Sequence, residues 1–143
     1  MLIVRDEQIE VFERRLFETV QQRVHGAIEA TFPELSRGAA AERGADTADK
    51  LGTIVARGIE SAVRFDIGEG PDIAAFIALG LALRVAPPGE SGRWIHEYLN
   101  RLDTSGPTKL RMIESRLRAL AAQDQTLRPI AERVAQARKR AAA

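Results

Sequence analysis

The two histidines, His25 and His96, are the side chains of this sequence best suited to bind a metal or to transfer a proton near neutral pH. Neither has a second ligand at a metal-binding spacing, such as the paired histidines of an HExxH motif. His25 follows Val24 on an apolar stretch, and His96 follows Ile95. We therefore expect both histidines to be structural or solvated, and we expect no bound metal.

Three carboxylates cluster in one short segment, at Asp66, Glu69 and Asp72. Hard cations such as Ca²⁺ bind several such oxygens. However, Gly68 and Gly70 occupy alternate positions at which an EF-hand loop needs oxygen ligands, and no bidentate Glu follows at the twelfth position. Negative charge at a helix N-terminus explains the cluster better than a calcium site does.

The sequence lacks the motifs of nucleophilic and phosphate chemistry. It contains no Gly-rich loop ending in GK[ST] and no GxSxG elbow. It also contains no cysteine, which excludes a disulfide framework and a thiolate zinc site. We therefore predict a protein that is not an enzyme and that has no catalytic, cofactor-binding or metal-binding residues.

The first candidate binding surface is the basic C-terminal part of the chain. Residues 104–143 hold 9 Lys or Arg against 3 Asp or Glu, whereas residues 1–103 hold 12 against 17. Such a tail can serve an acidic partner, a nucleic acid, or the acidic body of the same molecule. No aromatic residue that could stack on bases follows Tyr98, so a solvated face is favoured over nucleic-acid binding. The candidate partner-binding residues of this tail are Arg128, Arg133, Arg138, Lys139 and Arg140.

The second candidate surface contains Trp94 and Tyr98, the only Trp and the only Tyr of the chain, together with Arg93. These residues follow a Pro-Pro-Gly loop. Trp and Tyr pack into cores, but they are also favoured at protein interfaces. Both roles stay open for Trp94 and Tyr98 at this point.

The element that must position these residues is the segment Pro71–Val85, which carries no charge between Asp72 and Arg84. Its Ile, Phe, Leu and Ala residues leave no polar stripe, which is typical of a buried helix. As a helix it would be about 20 Å long, shorter than the roughly 30 Å bilayer core. We predict an all-α single domain of residues 1–143, a bundle of about five to six helices that encloses this helix on every side.

Apolar residues at intervals of three and four predict further helices in the N-terminal two-thirds of the chain. The first runs from Asp6 to about Thr31, and a loop is expected over residues 36–46. A second helix is capped by Asp46 or Thr47, and a short helix with an aromatic face is capped by Ser91. Gly52 and Gly58, inside the second helix, indicate close approach of a neighbouring helix, since Gly costs about 1 kcal/mol there.

Residues 105–143 are expected to form two more helices. Ser105-Gly106-Pro107 opens one of them. Pro129 either begins a separate second helix or kinks one long helix, and we favour the separate helix. The apolar residues Leu110, Ile113 and Leu117 have a near-heptad spacing. Such a stripe can pack against a second copy of the chain as well as against the chain's own core. This pair could therefore be docked, or it could form a mobile or self-associating arm.

The segment GIESAVRFDIGEGPDIAAFIALGLAL, with the opening IVRDEQIEVFERRLFE, resembles small helical proteins encoded beside PAAR-type spike and effector genes of type VI secretion systems. The sequence departs from that pattern where Asp66 replaces the usual glycine, and where APPGESGRW replaces an acidic loop before the Trp. The resemblance implies a non-enzymatic accessory role in loading an effector or spike component, with no catalytic residues to carry over. The matching residues are Gly58, Ile59, Ala62, Arg64, Phe65, Ile67, Asp72, Ile73 and Trp94.

These observations favour a helical adaptor or chaperone that binds another protein, an effector, spike-tip or toxin component. A nucleic-acid-binding module that uses the Arg-rich C-terminal helices is the main alternative, and an immunity protein that blocks a toxin is a third. The short apolar run at the N-terminus predicts no signal peptide, and without a membrane span we expect a cytoplasmic protein.

Overall fold

The computed structural model describes residues 6–35, 46–101 and 103–143, with side chains from residue 14 on the first helix and from residue 50 on the second. This part of the chain contains helices and no strand, so the predicted all-α fold is confirmed. The helices are α1 (Asp6–Thr31), α2 (Asp46–Arg64), α3 (Gly70–Val85), α4 (Arg93–Leu99), α5 (Gly106–Ala121) and α6 (Arg128–Ala142), with a 3-10 turn at Gly89–Gly92.

Helix α3 is the central element, as predicted, and packs against α1, α2, α5 and most extensively α6. Its residues from Asp72 to Ala75 and from Ile77 to Leu79 are buried. The expectation of enclosure on every side is wrong for one face. Gly80 is exposed and Phe76 is only half-buried, because no element of the described chain covers this side of α3.

A tight corner joins α2 to α3 at the predicted place. The amide of Ile67 donates to the carbonyl of Ala62 and that of Asp66 donates to Val63, both at 2.9 Å, which is a Schellman C-terminal motif. Asp66 adopts the left-handed conformation that this motif requires, with φ of 60°. Pro71 then lies in the first turn of α3, where its missing N–H costs nothing.

The two glycines of α2 differ in their surroundings. A Cβ on Gly58 would lie 2.5 Å from Cγ1 of Ile77, so the predicted close approach of a neighbouring helix is confirmed at this position. A Cβ on Gly52 would meet no atom of the described residues within 4 Å, so the prediction is not supported there.

The start of α4 differs from the prediction. Its N-cap residue is Gly92, without a side-chain cap, and Ser91 lies in the preceding 3-10 turn. The backbone enters α4 directly from this turn, which leaves Ser91 outside the capping position. By contrast, α5 begins at Ser105-Gly106-Pro107 as predicted, and the structure shows that Ser105 caps it, since its hydroxyl accepts a hydrogen bond from the Thr108 amide at 3.4 Å.

Helices α5 and α6 are separate, as predicted, with Pro129 in the first turn of α6. In the turn between them the Asp124 carboxylate accepts hydrogen bonds from the amide and hydroxyl of Thr126, at 2.9 Å and 2.6 Å. These bonds lower the pKa of Asp124 below its ordinary value. Helix α6 packs against α1, α3 and α5, and its buried residues are Ile130, Val134, Ala137 and Ala141.

Helix α1 is covered along only part of its length. Val24 and Ile28 are fully buried, whereas Leu16 and Phe17 are 52% and 50% exposed. The predicted loop over residues 36–46 lies outside the described residues, except that Asp46 is the first residue of α2. Within the described residues, no helix has the length and hydropathy needed to cross a bilayer.

Candidate protein-binding surfaces

Trp94 and Tyr98 lie one turn apart on α4 and form an edge-to-face pair with ring centroids 5.5 Å apart. Both are half-buried, and both pack against the core, while Ile95 between them is fully buried. The two roles left open by the sequence are therefore combined. One side of each ring belongs to the core, and the other side contributes to the surface.

Two arginines complete this surface. The guanidinium carbon of Arg116, from α5, lies 4.6 Å from the Trp94 ring centroid and 5.7 Å from that of Tyr98. Arg101 lies over the Tyr98 ring at 4.5 Å. Arg116 also donates a hydrogen bond to the Tyr98 hydroxyl at 3.3 Å. We call Trp94, Tyr98, Arg101 and Arg116 the aromatic–arginine face.

The indole nitrogen of Trp94 is a buried donor without a hydrogen-bond partner among the described residues. An unsatisfied buried N–H costs roughly 1–3 kcal/mol. The ring contacts the Tyr98 ring and the Arg116 guanidinium, and a guanidinium has no acceptor to offer the indole N–H. The ring is thus fixed by packing and by the guanidinium above it.

Arg133 and Arg140 of the basic tail contact the end of α1 and the residues that follow it. The Arg133 guanidinium bonds the Glu34 carboxylate at 2.5 Å, donates to the Thr31 carbonyl at 2.8 Å, and lies over the Phe32 ring. Arg140 donates to the Thr31 hydroxyl at 3.1 Å. Both side chains therefore join α6 to α1.

Arg138 makes the most buried ion pairs of the tail. Its Nε and Nη2 donate to the two carboxylate oxygens of Glu114, each at 2.7 Å, and its Nη1 donates to Asp72 at 2.5 Å. The Asp72 side chain is only 6% exposed. The hydrogen bonds to Glu114 raise the pKa of Arg138, those to Asp72 add to this effect, and burial opposes it. Asp72, one of the three clustered carboxylates of the acidic corner (Asp66, Glu69 and Asp72), is therefore an ion-pair partner of α6.

The other predicted basic residues differ in their contacts. Arg128 donates to the carbonyls of Ala121 and Ala122 at the end of α5, at 3.2 Å and 3.5 Å. Lys139 is exposed and lines, with Arg128 and Arg138, a groove of about 530 Å³ between α5 and α6. Arg93 is exposed on the first turn of α4. Partner binding by these side chains stays a prediction.

The histidines and the acidic corner do not converge on a site. His25 lies 3.7 Å from Glu29 on α1, and His96 is exposed on α4. Asp66 and Glu69 are exposed at the α2–α3 corner, where the Glu69 side chain makes no capping hydrogen bond. Among the described side chains, no group of three or more His, Asp or Glu residues could hold a metal ion.

An apolar groove lies between α2, α3 and α4, over the uncovered face of α3. It has a volume of about 640 Å³. Phe76, Gly80 and Leu83 line it from α3, Ile54 lines it from α2, and Phe65 lines it from the turn directly after α2. We call this the α2–α3 groove. The charged or titratable side chains that line it are Arg57, Arg84 and His96.

Comparisons with protein families, curated proteins and solved structures find no match to this chain.

The sequence did not identify all of these groups. It singled out Trp94 and Tyr98, but it did not predict that Arg101 and Arg116 lie over their rings. Arg116 is 18 residues from Tyr98 in the sequence and contacts it only because α5 packs on α4. The α2–α3 groove was also missed. The sequence signal that could have indicated it is Gly80, a glycine inside an otherwise apolar helix, which the structure shows to be exposed.

Proposed function

We propose that this chain is a non-enzymatic adaptor or chaperone that binds another protein through the aromatic–arginine face. The observation that carries the proposal is that Arg116 lies over the Trp94 ring and Arg101 lies over the Tyr98 ring. Both rings are only partly buried, so this surface is partly open. Trp, Tyr and Arg are the residues most enriched among those that dominate binding energy at protein interfaces. Arg93, which is exposed, and the loop before α4 directly precede Trp94 in the chain, and we include them in the proposed binding region.

The resemblance to accessory proteins of type VI secretion systems supports a bacterial, cytoplasmic role in loading an effector or a spike component. The backbone at Asp66 is consistent with the pattern that this resemblance rests on. Position 66, where the similar proteins carry glycine, has φ of 60°, in the region that glycine adopts most easily. An immunity role would use the same kind of surface, with a toxin as the partner.

The contacts of the tail favour a protein partner over a nucleic acid. Arg133 and Arg138 bond Glu34, Glu114 and Asp72, so their charges are compensated within the chain. Arg128 and Arg140 also donate to groups of the chain itself. Binding of a phosphate backbone depends on uncompensated cationic charge, and this internal pairing reduces it.

The direct test is reciprocal co-purification with the products of the neighbouring genes. The double variant Arg101→Glu/Arg116→Glu reverses the charge of the aromatic–arginine face, and Arg111→Glu, exposed elsewhere on α5, is the matched control. We expect one neighbouring product to be retained by the native chain and by the control, and to be lost with the double variant. No partner in either direction, or equal retention by all three chains, would refute the proposal.

A DNA- and RNA-binding assay over a range of salt concentrations tests the alternative. Truncation is unsuitable, because α6 belongs to the core, so charge reversal at the exposed Arg118 and Lys139 is used. Salt-sensitive binding that these substitutions abolish would favour the nucleic-acid alternative and argue against the adaptor.

A further inference from the structure

We propose that the α2–α3 groove binds an amphipathic helix of the partner protein, with acidic residues flanking the apolar face of that helix. This inference rests on the proposed protein-binding function and adds the chemistry of the partner and a second contact surface. It follows from three properties of the groove, which are its apolar floor, the missing side chain at Gly80 and the sign of its charges.

The floor of the groove is apolar and open. Phe76 and Leu83 of α3 are half-buried, and so is Ile54 of α2, although all three pack against the core. Phe65, at the end of α2, is exposed and lies with its ring centroid 5.6 Å from that of Phe76. A helix with apolar residues at i, i+3, i+4 and i+7 presents a stripe suited to such a surface.

Gly80 lets a partner helix approach closely. Gly80 lies away from both ends of α3 and is exposed, and a Cβ there would meet no atom of the described residues within 4 Å. Glycine costs about 1 kcal/mol relative to alanine at such a position. Gly58 compensates this cost through the contact of α2 with Ile77, but the described part of the chain gives Gly80 no such neighbour. A helix packed from outside would supply it.

The charges at the groove have one sign. Arg57 and Arg84 line it and are exposed, with His96 beside them on α4. No Asp or Glu is among the described residues that line the groove. Charges of opposite sign across an interface steer association and select the partner, so an acidic helix is favoured and a basic one is repelled.

The test uses labelled synthetic peptides of about 18 residues, which as helices would be roughly 27 Å long. The first carries Leu at helical spacing with Glu on both flanks. The second has Lys in place of every Glu, and the third has the composition of the first in an order without an apolar face. By fluorescence anisotropy we expect the acidic amphipathic peptide to bind at least about tenfold more tightly than either of the others, and less tightly as salt increases.

A bulky side chain in the groove should block this binding. Gly80→Phe places an aromatic ring in the groove from a position where a Cβ meets no described atom within 4 Å. Gly26→Phe is the matched control, since Gly26 is also exposed in a helix and its Cβ would also meet no described atom within 4 Å. Circular dichroism checks that both variants fold. We expect at least about a tenfold loss of peptide affinity for Gly80→Phe and none for Gly26→Phe.

Several outcomes would overturn the inference. The inference is wrong if the three peptides bind equally, or if Gly80→Phe binds the acidic peptide as tightly as the native chain does. It is also wrong if no peptide binds but the native chain self-associates and Gly80→Phe does not, because the groove would then bind a second copy of the chain. The inference fails alone if a neighbouring gene product is retained equally by the native chain and by Gly80→Phe. The proposed function fails instead if no protein is retained at all.

Discussion

Nη1 of Arg138 and Oδ1 of Asp72 lie 2.5 Å apart, so the last third of α6 is joined to the first turn of α3 by an ion pair at the edge of the core. The same guanidinium holds both oxygens of Glu114 on α5. Three helices therefore meet at one arginine. Residues 104–143 carry a net charge of +6, and residues 1–103 carry a net charge of −5. The Arg138–Asp72 pair joins one positive charge of the C-terminal part to one negative charge of the N-terminal part.

Replacing Arg138 should destabilise the chain strongly. Arg138→Met leaves the nearly buried Asp72 carboxylate without its cation, and breaking a buried pair in this way costs 3–5 kcal/mol. Because Arg138 is itself 30% exposed, we expect about 2–4 kcal/mol in the free energy of unfolding. Urea unfolding measures this, with Lys139→Met, exposed one residue further on, as the control. Equal stability of the two variants would contradict the role given to the pair.

Substitution by alanine at the two glycines of α2 should change the stability of the chain in opposite directions. Gly58→Ala places a methyl group against the buried Ile77, and overpacking of this kind costs about 1–3 kcal/mol. Gly52→Ala meets no neighbour and gains helix propensity, so we expect about 0.5–1 kcal/mol of stabilisation. Thermal unfolding of both variants gives the two signs directly. A stabilising Gly58→Ala would show that α2 and α3 do not approach as described.

Replacing Asp66 by glycine should stabilise the chain, whereas replacing it by alanine should destabilise it. Its φ of 60° is a left-handed conformation that costs an L-residue roughly 1–2 kcal/mol, although Asp tolerates it better than most. Glycine removes this strain but gains freedom in the unfolded chain, so we expect Asp66→Gly to stabilise by about 0.5 kcal/mol. Asp66→Ala should be less stable than Asp66→Gly by about 1 kcal/mol in denaturant unfolding. The reverse order would argue against the Schellman motif at this corner.

Asp124 should make the turn before α6 sensitive to acid. Its hydrogen bonds from Thr126 lower its pKa in the folded chain below the ordinary value of 3.8. The unfolded chain then binds the proton more readily, so the stabilisation is fully present above about pH 5 and is lost as the pH falls through the folded pKa. The difference in melting temperature between the native chain and Asp124→Asn should be constant above about pH 5 and should shrink below it. A difference that grows in acid would contradict this sign.

The fold could be predicted from the sequence because its signals are local. Three of these signals are the uncharged run of α3, the Gly-Pro corner before it and the Ser105-Gly106-Pro107 segment that opens α5, and each depends on neighbouring residues only. The capping role of Ser91 was predicted wrongly, since a Ser before an apolar run looks the same whether or not a 3-10 turn intervenes. The open side of α3 was also missed, because an apolar sequence pattern does not reveal how many neighbours are available to cover it.

The candidate surfaces were predicted only in part, because they depend on contacts between distant residues. Trp94 and Tyr98 could be identified by residue type, but Arg116 joins them only through the packing of α5 on α4. Conversely, Arg133 and Arg138 look like free cations in the sequence, yet each is paired with a carboxylate of another segment. Charge composition indicates an excess of one sign, whereas the partners of each charge require the tertiary structure.

The single tryptophan allows the aromatic–arginine face to be observed directly. In Arg116→Ala the Trp94 ring loses the guanidinium that lies over it at 4.6 Å, and water gains access to that side of the indole. We expect its fluorescence emission to move to longer wavelength and the stability to fall by about 0.5–1 kcal/mol, the usual contribution of an exposed cation–π contact. Arg111→Ala, exposed on the same helix, should leave both values unchanged. An unaltered spectrum in Arg116→Ala would mean that Arg116 does not cover the ring in solution, and the surface proposed to bind the partner would lose its central contact.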